Sequence, residues 1–433
     1  MTDSSKRPPE AWGADESWSS DDAERYLLSR EQFGMRFGLD RIRRLLNVLE
    51  LPAMPFPSVH VVGTNGKSST TRMIAALLER HGLRTGCFTS PHLLSYRERI
   101  RIDERDIDRE RFAQAIARTV QAAALVDRSQ SEPGDRVTQF ELLTAAALCE
   151  FAAAGVDVAV IEAGLGGRFD ATNAVDSRVA VLTNVGLEHT RYLGPTVTHI
   201  AREKLDVVRP GATLVIGPTL DSAALEVALE VVAERGATLV RASADAGVGA
   251  SLRARGDYQQ WNFAVACAAA RAFLGRDLDP AVVLEAARSI VVPGRFEVLD
   301  GTPVTLLDGA HNEGGIEALT SSLPAFLRGR RLVTLVSILD DKDAGAMLAR
   351  LLAHSDELVC TACSSPRALP PATLASLAGQ LGNVPAIVEP LPERALARAR
   401  ESAGPDGVVL ATGSIYLVAD LLRGRRGGIV STL

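Results

Sequence analysis

The 433-residue sequence has few cysteines, no excess of positive charge and no long uninterrupted apolar segment. Its five cysteines are scattered, so no disulfide framework is predicted. The first residues, MTDSSKRPPE, contain no apolar core of the kind found in secretion signals. Glu150 and Asp157 interrupt the most apolar stretch, LTAAALCEFAAAGVDVAV, which is therefore not expected to span a membrane. These absences predict a protein of the reducing cytoplasm.

The balance of charge excludes two further classes of partner. The formal net charge is −6 and the pI is about 5.8, with acidic and basic residues interspersed along the chain. A protein that binds nucleic acid or a membrane surface needs a basic face in order to release counterions. We therefore expect small-molecule partners, no nucleic acid and no membrane. Nothing in the sequence requires an oligomer, so the expected state is a monomer.

Length and pattern predict two α/β domains. A single hydrophobic core stops growing at roughly 250 to 300 residues, so 433 residues favour at least two. Residues 1–21 are rich in Ser, Asp, Pro and Glu and are interpreted as a disordered tail. Strand and helix patterns then alternate up to a candidate hinge at Pro293 and Gly294, and alternate again after it. The predicted domains are 22–293 and a smaller unit, 294–433.

The stretch VHVVGTNGKSSTTRMI contains most of a phosphate-binding loop. Gly66, Lys67 and Ser68 match the second half of the pattern GxxxxGK[ST], but Val61 stands where the first glycine is expected. A short apolar strand precedes the turn and an amphipathic helix follows it. That context lets backbone amides and the helix N-terminus bind an anion. The alternative interpretation is a tight turn with a solvated lysine.

Other candidate residues follow predicted strands, where parallel sheets bind their ligands. Glu162 lies at the end of the strand predicted over VDVAVIEA, ahead of three glycines. Its carboxylate could bind Mg²⁺ or could be a solvated group at the end of a strand. His189 follows RVAVLTNVG, and Lys204 comes fifteen positions later on a predicted helix. Either could be an ordinary packed or surface residue.

The second unit offers a similar group of candidates. LLDGAHNEGG places Asp308, His311 and Asn312 after its first strand, where they could serve a nucleotide, a metal or a turn. Arg295 lies beside the hinge. It could contact a phosphate group when the domains close, or it could form a salt bridge between the domains.

Together these motifs resemble the folylpolyglutamate synthase and dihydrofolate synthase family, the folate branch of the Mur ligase superfamily. The resemblance runs from FGLDRIRRLL, near Phe37, into the C-terminal unit. That family carries the short loop GTNGK, which accounts for Val61. The resemblance implies a P-loop-type Mur ligase ATPase domain with a mainly parallel sheet and a smaller Rossmann-like C-terminal domain. It also implies ATP-dependent ligation of glutamate to a folate or dihydropteroate carboxylate.

The resemblance further implies ATP, two Mg²⁺ ions and specific site residues. The implied nucleotide contacts are Thr64, Asn65, Gly66, Lys67, Ser68, Asn262, Arg295 and Asp308. The implied metal ligands are Ser90, Glu162 and His189, with Lys204 at the position of a carbamylated lysine. The implied folate contacts are Phe37, Gly38, Leu39, Asp40, Thr138, Gln139, Phe140, Phe169, Asp170 and Ala171. Catalytic roles are expected for Lys67, Lys204, His311 and Asp170.

The sequence departs from the family pattern at four positions. Gln139, Glu188, Leu205 and Glu313 stand where other residues are usual, which leaves the pterin substrate and the modification of Lys204 open. Two alternatives also remain: an amino-acid ligase of the same superfamily with another acceptor, and a nucleotide-binding relative without ligase activity. Whether one or both folate activities are present is not decided by these residues.

Overall fold

The computed structural model describes residues 18–30, 38–129, 136–243 and 252–426. The predicted folate contact Phe37 and residues 1–17 of the predicted tail lie outside the described residues. Within the predicted tail, a helix already begins at Ser20. Ser19 and Asp22 cap this helix through reciprocal side-chain and backbone hydrogen bonds of 3.0 and 3.2 Å. This helix therefore overlaps the predicted tail at Ser20 and Asp21.

The first unit contains eight strands and ten helices among the described residues. The strands are β1 (Ser58–Val62), β2 (Thr85–Phe88), β3 (Ile100–Ile102), β4 (Arg105–Asp106), β5 (Val158–Glu162), β6 (Ser177–Leu182), β7 (Thr213–Ile216) and β8 (Thr238–Arg241). The helices are α1 (Ser20–Arg30), α2 (Asp40–Val48), α3 (Lys67–Arg80), α4 (Arg109–Arg128), α5 (Gln139–Ala154), α6 (Thr190–Leu193), α7 (Val197–Leu205), α8 (Ser222–Arg235), α9 (Asp257–Leu274) and α10 (Pro280–Ser289). Short 3₁₀ helices cover Tyr96–Arg99 and Ala171–Ala174.

The first sheet has the spatial order β4-β3-β2-β5-β1-β6-β7-β8. All of its pairs are parallel except those that β3 makes with β2 and β4. Every residue of β1 and β5 is buried, since helices cover both faces of a parallel sheet. β1 lies between β5 and β6, so the residues that follow these three strands emerge side by side at the carboxyl edge.

The second unit has its own sheet, in the order β13-β12-β11-β14-β10-β9. The strands are β9 (Glu297–Leu299), β10 (Val304–Leu307), β11 (Leu332–Val336), β12 (Glu357–Cys360), β13 (Ala386–Val388) and β14 (Val408–Thr412). The helices are α11 (Glu313–Leu327), α12 (Ala344–Leu352), α13 (Pro371–Leu381), α14 (Pro392–Ala403) and α15 (Ile415–Arg426). Only β9 runs antiparallel among these described strands. The predicted α/β class is confirmed.

The two units meet through apolar and polar contacts. Leu93, which follows β2, packs into the core of the second unit with Leu299 and Val418. The Tyr258 hydroxyl of α9 donates to Asp308 Oδ2 of the second unit over 2.6 Å. The segment between α10 and β9 contains the predicted hinge, and the division at residue 294 stays a prediction. Across the described ranges, no helix is long and apolar enough to cross a membrane.

Candidate active site

The glycine-lysine turn joins β1 to α3. Val61 is the fourth residue of β1 and is fully buried, so it belongs to the strand and not to the loop. Gly66 has a φ of +81° and directly precedes α3, a conformation that glycine adopts without strain. The Asn65 amide donates to Asn184 Oδ1 over 2.8 Å, which fixes the loop to the end of β6. The N-terminus of α3 is thereby held at a defined place for an anion.

Lys67 and Asn262 lie at this loop. The Lys67 ammonium donates to the carbonyls of Gly63 and Thr64 over 3.1 and 3.2 Å. Asn262, on α9, holds its side-chain oxygen against Gly66, in the space that any Cβ at position 66 would need. Two of the predicted nucleotide contacts, Lys67 and Asn262, are therefore brought to the same turn.

Glu162 is buried at the end of β5, beside the loop. Its Oε1 accepts from the Ser68 hydroxyl over 2.8 Å, and its Oε2 accepts from the Ser90 amide over 2.9 Å. Burial raises the pKa of Glu162, against the opposing effects of Lys67 and of both hydrogen bonds. A buried carboxylate with two neutral donors, next to hydroxyl groups, fits a hard divalent cation such as Mg²⁺.

Lys204 reaches the loop from α7. Its ammonium donates to the Gly63 carbonyl over 2.9 Å, and the side chain is only 3% exposed. Burial lowers the pKa of Lys204 to about 7, and the nearby positive charge of Lys67 contributes to the same shift. A large fraction of this amine is therefore neutral, and nucleophilic, near neutral pH.

A second charged group connects the units around Glu188. Its Oε1 lies 3.1 Å from Lys342 Nζ and 3.4 Å from His311 Nε2, both of the second unit, and 3.9 Å from His189 Nε2. Burial acts to raise the pKa of Glu188, but His311 and Lys342 hold it well below the usual range. Burial lowers the pKa of His189 to about 4, so its imidazole is neutral and can act as a ligand.

The predicted metal site contains few of the side chains that usually bind metal ions in clusters, namely histidine, cysteine, aspartate and glutamate. Among the described residues, no three histidine, cysteine, aspartate or glutamate side chains are grouped closely enough to hold a metal ion. The predicted set contains only Glu162 and His189 of these types. Hydroxyl, phosphate and water oxygens would complete the coordination, which is the usual manner of Mg²⁺ binding.

From the second unit, Arg295 and Asp308 approach the same cleft. The Arg295 guanidinium lies against Gly309, and its positive charge acts on Glu162 across the two units. Asp308 is buried and accepts from Tyr258 Oη, from the Phe296 amide at 2.8 Å and from the Ala310 amide at 2.8 Å. Asp308 thus helps to join the two units, and its predicted contact with the nucleotide stays a prediction.

The predicted folate segments converge only in part. Phe140 packs on the glycine loop, residues 164–170, which follows β5. A Cβ at Gly164 would lie 2.7 Å from the ring of Phe140. Asp170, in the same loop, is buried and accepts from the Leu165 amide over 2.8 Å. Helix α2, which begins at Asp40, lies against the short helix that starts at Ala171. Phe169 is partly exposed, with the Arg168 guanidinium 5.1 Å from its ring centroid.

The side chains of Gln139 and Thr138 form hydrogen bonds within the protein, and their folate contacts stay predictions. The Gln139 amide nitrogen is buried and donates to the Leu27 carbonyl and the Tyr96 hydroxyl over 3.0 and 2.9 Å. Both of its N–H groups are therefore used inside the protein, which leaves none for a ligand. Thr138 forms the capping box of α5 with Glu141. Their side chains stabilise this region of the core.

Comparison with known proteins agrees with this arrangement. The Mur ligase middle domain matches residues 61–263, and the Mur ligase glutamate ligase domain matches residues 294–415. The dihydrofolate synthase/folylpolyglutamate synthase of Escherichia coli is 33% identical, over 98% of this chain and 99% of that protein. This chain belongs to the folylpolyglutamate synthase/dihydrofolate synthase family.

Other members of the family are similar over most of this chain. A probable bifunctional folylpolyglutamate synthase/dihydropteroate synthase of Haloferax volcanii is 36% identical over 92% of the chain, which spans half of that relative's length. The Mycobacterium tuberculosis folylpolyglutamate synthase complexed with ADP has a TM-score of 0.87 and 33% identity, covering 95% and 99% of the two chains. A bifunctional member with Mn, AMPPNP and L-glutamate bound has a TM-score of 0.81 and 32% identity, covering 93% and 98%.

Five residues that lie at this site were not among our predicted site residues: Thr183, Asn184, Glu188, Tyr258 and Lys342. Thr183 and Asn184 follow β6, so their position after a strand was a usable signal. Lys342 lies in DDKD after β11 and was equally detectable.

The chain has 4 lysines and 43 arginines, and three of the lysines, Lys67, Lys204 and Lys342, lie at this site. Because lysine is rare in this sequence, its presence at these three positions indicates that the site needs a compact ammonium group or a nucleophilic amine, which a guanidinium cannot supply.

Proposed function

We propose that this protein joins L-glutamate to the carboxylate of a folate or a dihydropteroate, with ATP as the energy source. The observation that carries the proposal is the cleft itself, with Lys67, Glu162 and Lys204 on one side and Arg295 and His311 on the other. The nucleotide, metal and glutamate bound in the similar solved structures support it. All five cysteines are free and buried, which supports a reducing, cytoplasmic location. We also propose that the protein acts as a monomer.

The chemistry follows from the properties of a carboxylate. Its leaving group would be oxide, so it must first take the γ-phosphoryl group of ATP and become an acyl phosphate. Phosphoryl transfer depends mainly on positioning and on neutralisation of charge. Lys67 and Arg295 supply fixed positive charges for this step. Two Mg²⁺ ions, held by Ser90, Glu162, His189 and Lys204, would add further charge neutralisation. The glutamate amine then attacks the acyl carbon, the bond to phosphate breaks and phosphate leaves.

We assign the remaining predicted residues to substrate positioning. His311, fixed by its contacts with the Gly309 carbonyl and Glu188, is suited to orient the incoming glutamate. Phe140 and Asp170 border the glycine loop and are suited to the pterin ring, with a flat apolar surface and a hydrogen-bonding carboxylate. Thr64, Asn65, Gly66, Ser68 and Asn262 surround the proposed nucleotide site.

The direct test is a steady-state assay with ATP, L-glutamate and one of three acceptors: dihydropteroate, tetrahydrofolate or a UDP-linked cell-wall precursor. Products are identified by mass. We expect glutamate-dependent ADP release and a mass increase of one glutamyl residue with at least one pterin acceptor. Reaction of the UDP-linked acceptor alone would identify another Mur-type ligase. ATP binding without any amide product would identify an inactive relative.

We also propose that Lys204 is carbamylated. Its neutral amine attacks carbon dioxide, an N–C bond forms and one proton leaves to solvent, which converts a cation into a carboxylate-like group. Burial and the pKa of about 7 support this assignment, because only the neutral amine is nucleophilic. The carbamate would supply oxygen ligands to Mg²⁺, as the donor set around Glu162 requires.

Lys204→Ala is expected to lower kcat by about 100-fold, the range seen when the supporting groups of metal sites are removed. Short carboxylic acids such as acetate should restore part of the activity. Lys204→Arg keeps the charge but cannot be carbamylated, so it should stay inactive with acetate. In wild-type protein, ¹³C-bicarbonate should give a carbamate signal in the ¹³C spectrum that weakens below about pH 7. A wild-type spectrum without this signal would reject the modification.

A further inference from the structure

The side chains of Asn65 and Asn312 form a paired contact between the two units. Asn65 Nδ2 donates to Asn312 Oδ1 over 3.0 Å, and Asn312 Nδ2 donates to Asn65 Oδ1 over 3.0 Å. The two residues are 247 positions apart in the chain. Two antiparallel amide hydrogen bonds fix both distance and orientation, since each residue acts at once as donor and acceptor.

Both ends of this pair are held by their own unit. The Asn65 amide is bound by Asn184, and its carbonyl accepts from the Thr183 hydroxyl over 2.7 Å, so the backbone of the loop is fixed to β6. Asn312 caps α11, where its Oδ1 also accepts from the Gly315 amide over 2.8 Å. The pair therefore connects the phosphate-binding loop to the N-terminus of a helix in the other unit, with little freedom at either end.

The neighbours of the pair are the groups proposed to react. Gly66 and Lys67 follow Asn65 directly, and His311 directly precedes Asn312. Asn312 is only 9% exposed, and Gly314 lies beside Asn65 Nδ2. The two hydrogen bonds are partly buried, so solvent replaces them less well than it would at an exposed site. The length of the pair sets how closely the phosphate side and the amine side of the cleft approach each other.

We infer that Asn65 and Asn312 are positioning residues that keep the cleft closed on the acyl phosphate until the amine attacks. The inference rests on the proposed function. When the pair is absent, a water oxygen reaches the acyl carbon, the bond to phosphate breaks, and the free carboxylate and inorganic phosphate are released with protons to solvent. ATP is then consumed without an amide product. The Glu188 to Lys342 contact still joins the units when the pair is absent.

The test compares wild type with Asn65→Ala, Asn312→Ser and the double variant. Serine keeps the capping oxygen of α11 but removes the amide. For each protein, ADP released and amide formed are measured together, at saturating ATP, glutamate and acceptor. We expect nearly one ADP per amide in wild type. Each single variant loses both hydrogen bonds and should release at least about five times as much ADP per amide, the lower end of the population change expected for two net hydrogen bonds. The double variant should match the single ones.

Controls separate this inference from a structural effect and from the proposed function. Asp221→Ser makes a similar change at the N-cap of α8, away from the pair, and should leave the ADP to amide ratio at the wild-type value. A lower rate with an unchanged ratio in Asn312→Ser, or additive effects in the double variant, would overturn the inference. Absence of amide product in wild type would instead reject the proposed function.

Discussion

Replacing Lys67 with alanine is expected to lower glutamate-dependent ADP release by about 1,000-fold while the fold stays intact. The Lys67 ammonium lies at the carbonyls of Gly63 and Thr64, at the turn that precedes α3. In the variant, Arg295 would be the remaining protein cation assigned to this step, so part of the transition-state charge on the transferred phosphoryl group would be left unbalanced. The rate is measured by coupled ADP detection, and folding by thermal unfolding.

A second effect of Lys67→Ala follows from Lys204. The positive charge of Lys67 contributes to the lowered pKa of Lys204, after burial, so its removal should raise that pKa. A larger fraction of Lys204 is then protonated near pH 7, and carbamate formation should decrease. Arg84→Ala removes an exposed cation just before β2, paired with Asp103 at 3.6 Å, and should leave turnover unchanged. Comparable turnover in Lys67→Ala and wild type would remove the loop from the mechanism.

Glu162→Gln is expected to abolish Mg²⁺-dependent turnover, by about 1,000-fold, without loss of stability. The substitution keeps the shape of the side chain and removes its charge. In the folded protein, burial raises the pKa of this carboxyl, so its ionised form lowers the free energy of unfolding at neutral pH. We therefore expect a thermal midpoint equal to, or above, that of wild type. In wild type, Mg²⁺ with ATP should raise the midpoint, and in the variant it should not.

The same substitution at Glu150 provides a matched comparison. Glu150 is also buried, on α5, but it accepts a charge-assisted hydrogen bond from Arg111 over 2.7 Å. Glu150→Gln should lower the free energy of unfolding by about 1 kcal/mol and retain turnover. If Glu162→Gln kept its Mg²⁺-dependent activity, or lost stability as Glu150→Gln does, Glu162 would be a structural residue and not a metal ligand.

Some parts of this protein were determined by local sequence. The alternation of strands and helices is confirmed on both sides of the predicted hinge. The turn at Gly66 and Lys67 was also predictable, because the strand, the glycine and the amphipathic helix that define it lie within a short stretch of sequence. Val61 belongs to β1, so the shortened loop needs no glycine at that position.

Other parts depended on contacts between distant segments. Gln139 was predicted to contact folate because residues 138–140 resemble a folate-contacting segment of the family. Its amide donates to Leu27 and Tyr96 inside the core, and the folate contact stays a prediction. Glu188 was noted only as a departure from the family pattern, and in the structure it connects His189 to Lys342 and His311. No short pattern in the sequence encodes these partners.

The sequence by itself determined which elements form and which polar residues follow the strands. Hydrophobic periodicity and turn residues act within a few positions, so they are visible in the chain. Tertiary structure decided which of those residues meet. β1 lies between β5 and β6, which brings Ser68 to Glu162 and Asn65 to Asn184. The packing of the second unit then brings Asn312 to Asn65, a contact fixed by strand order and domain docking, not by spacing along the chain.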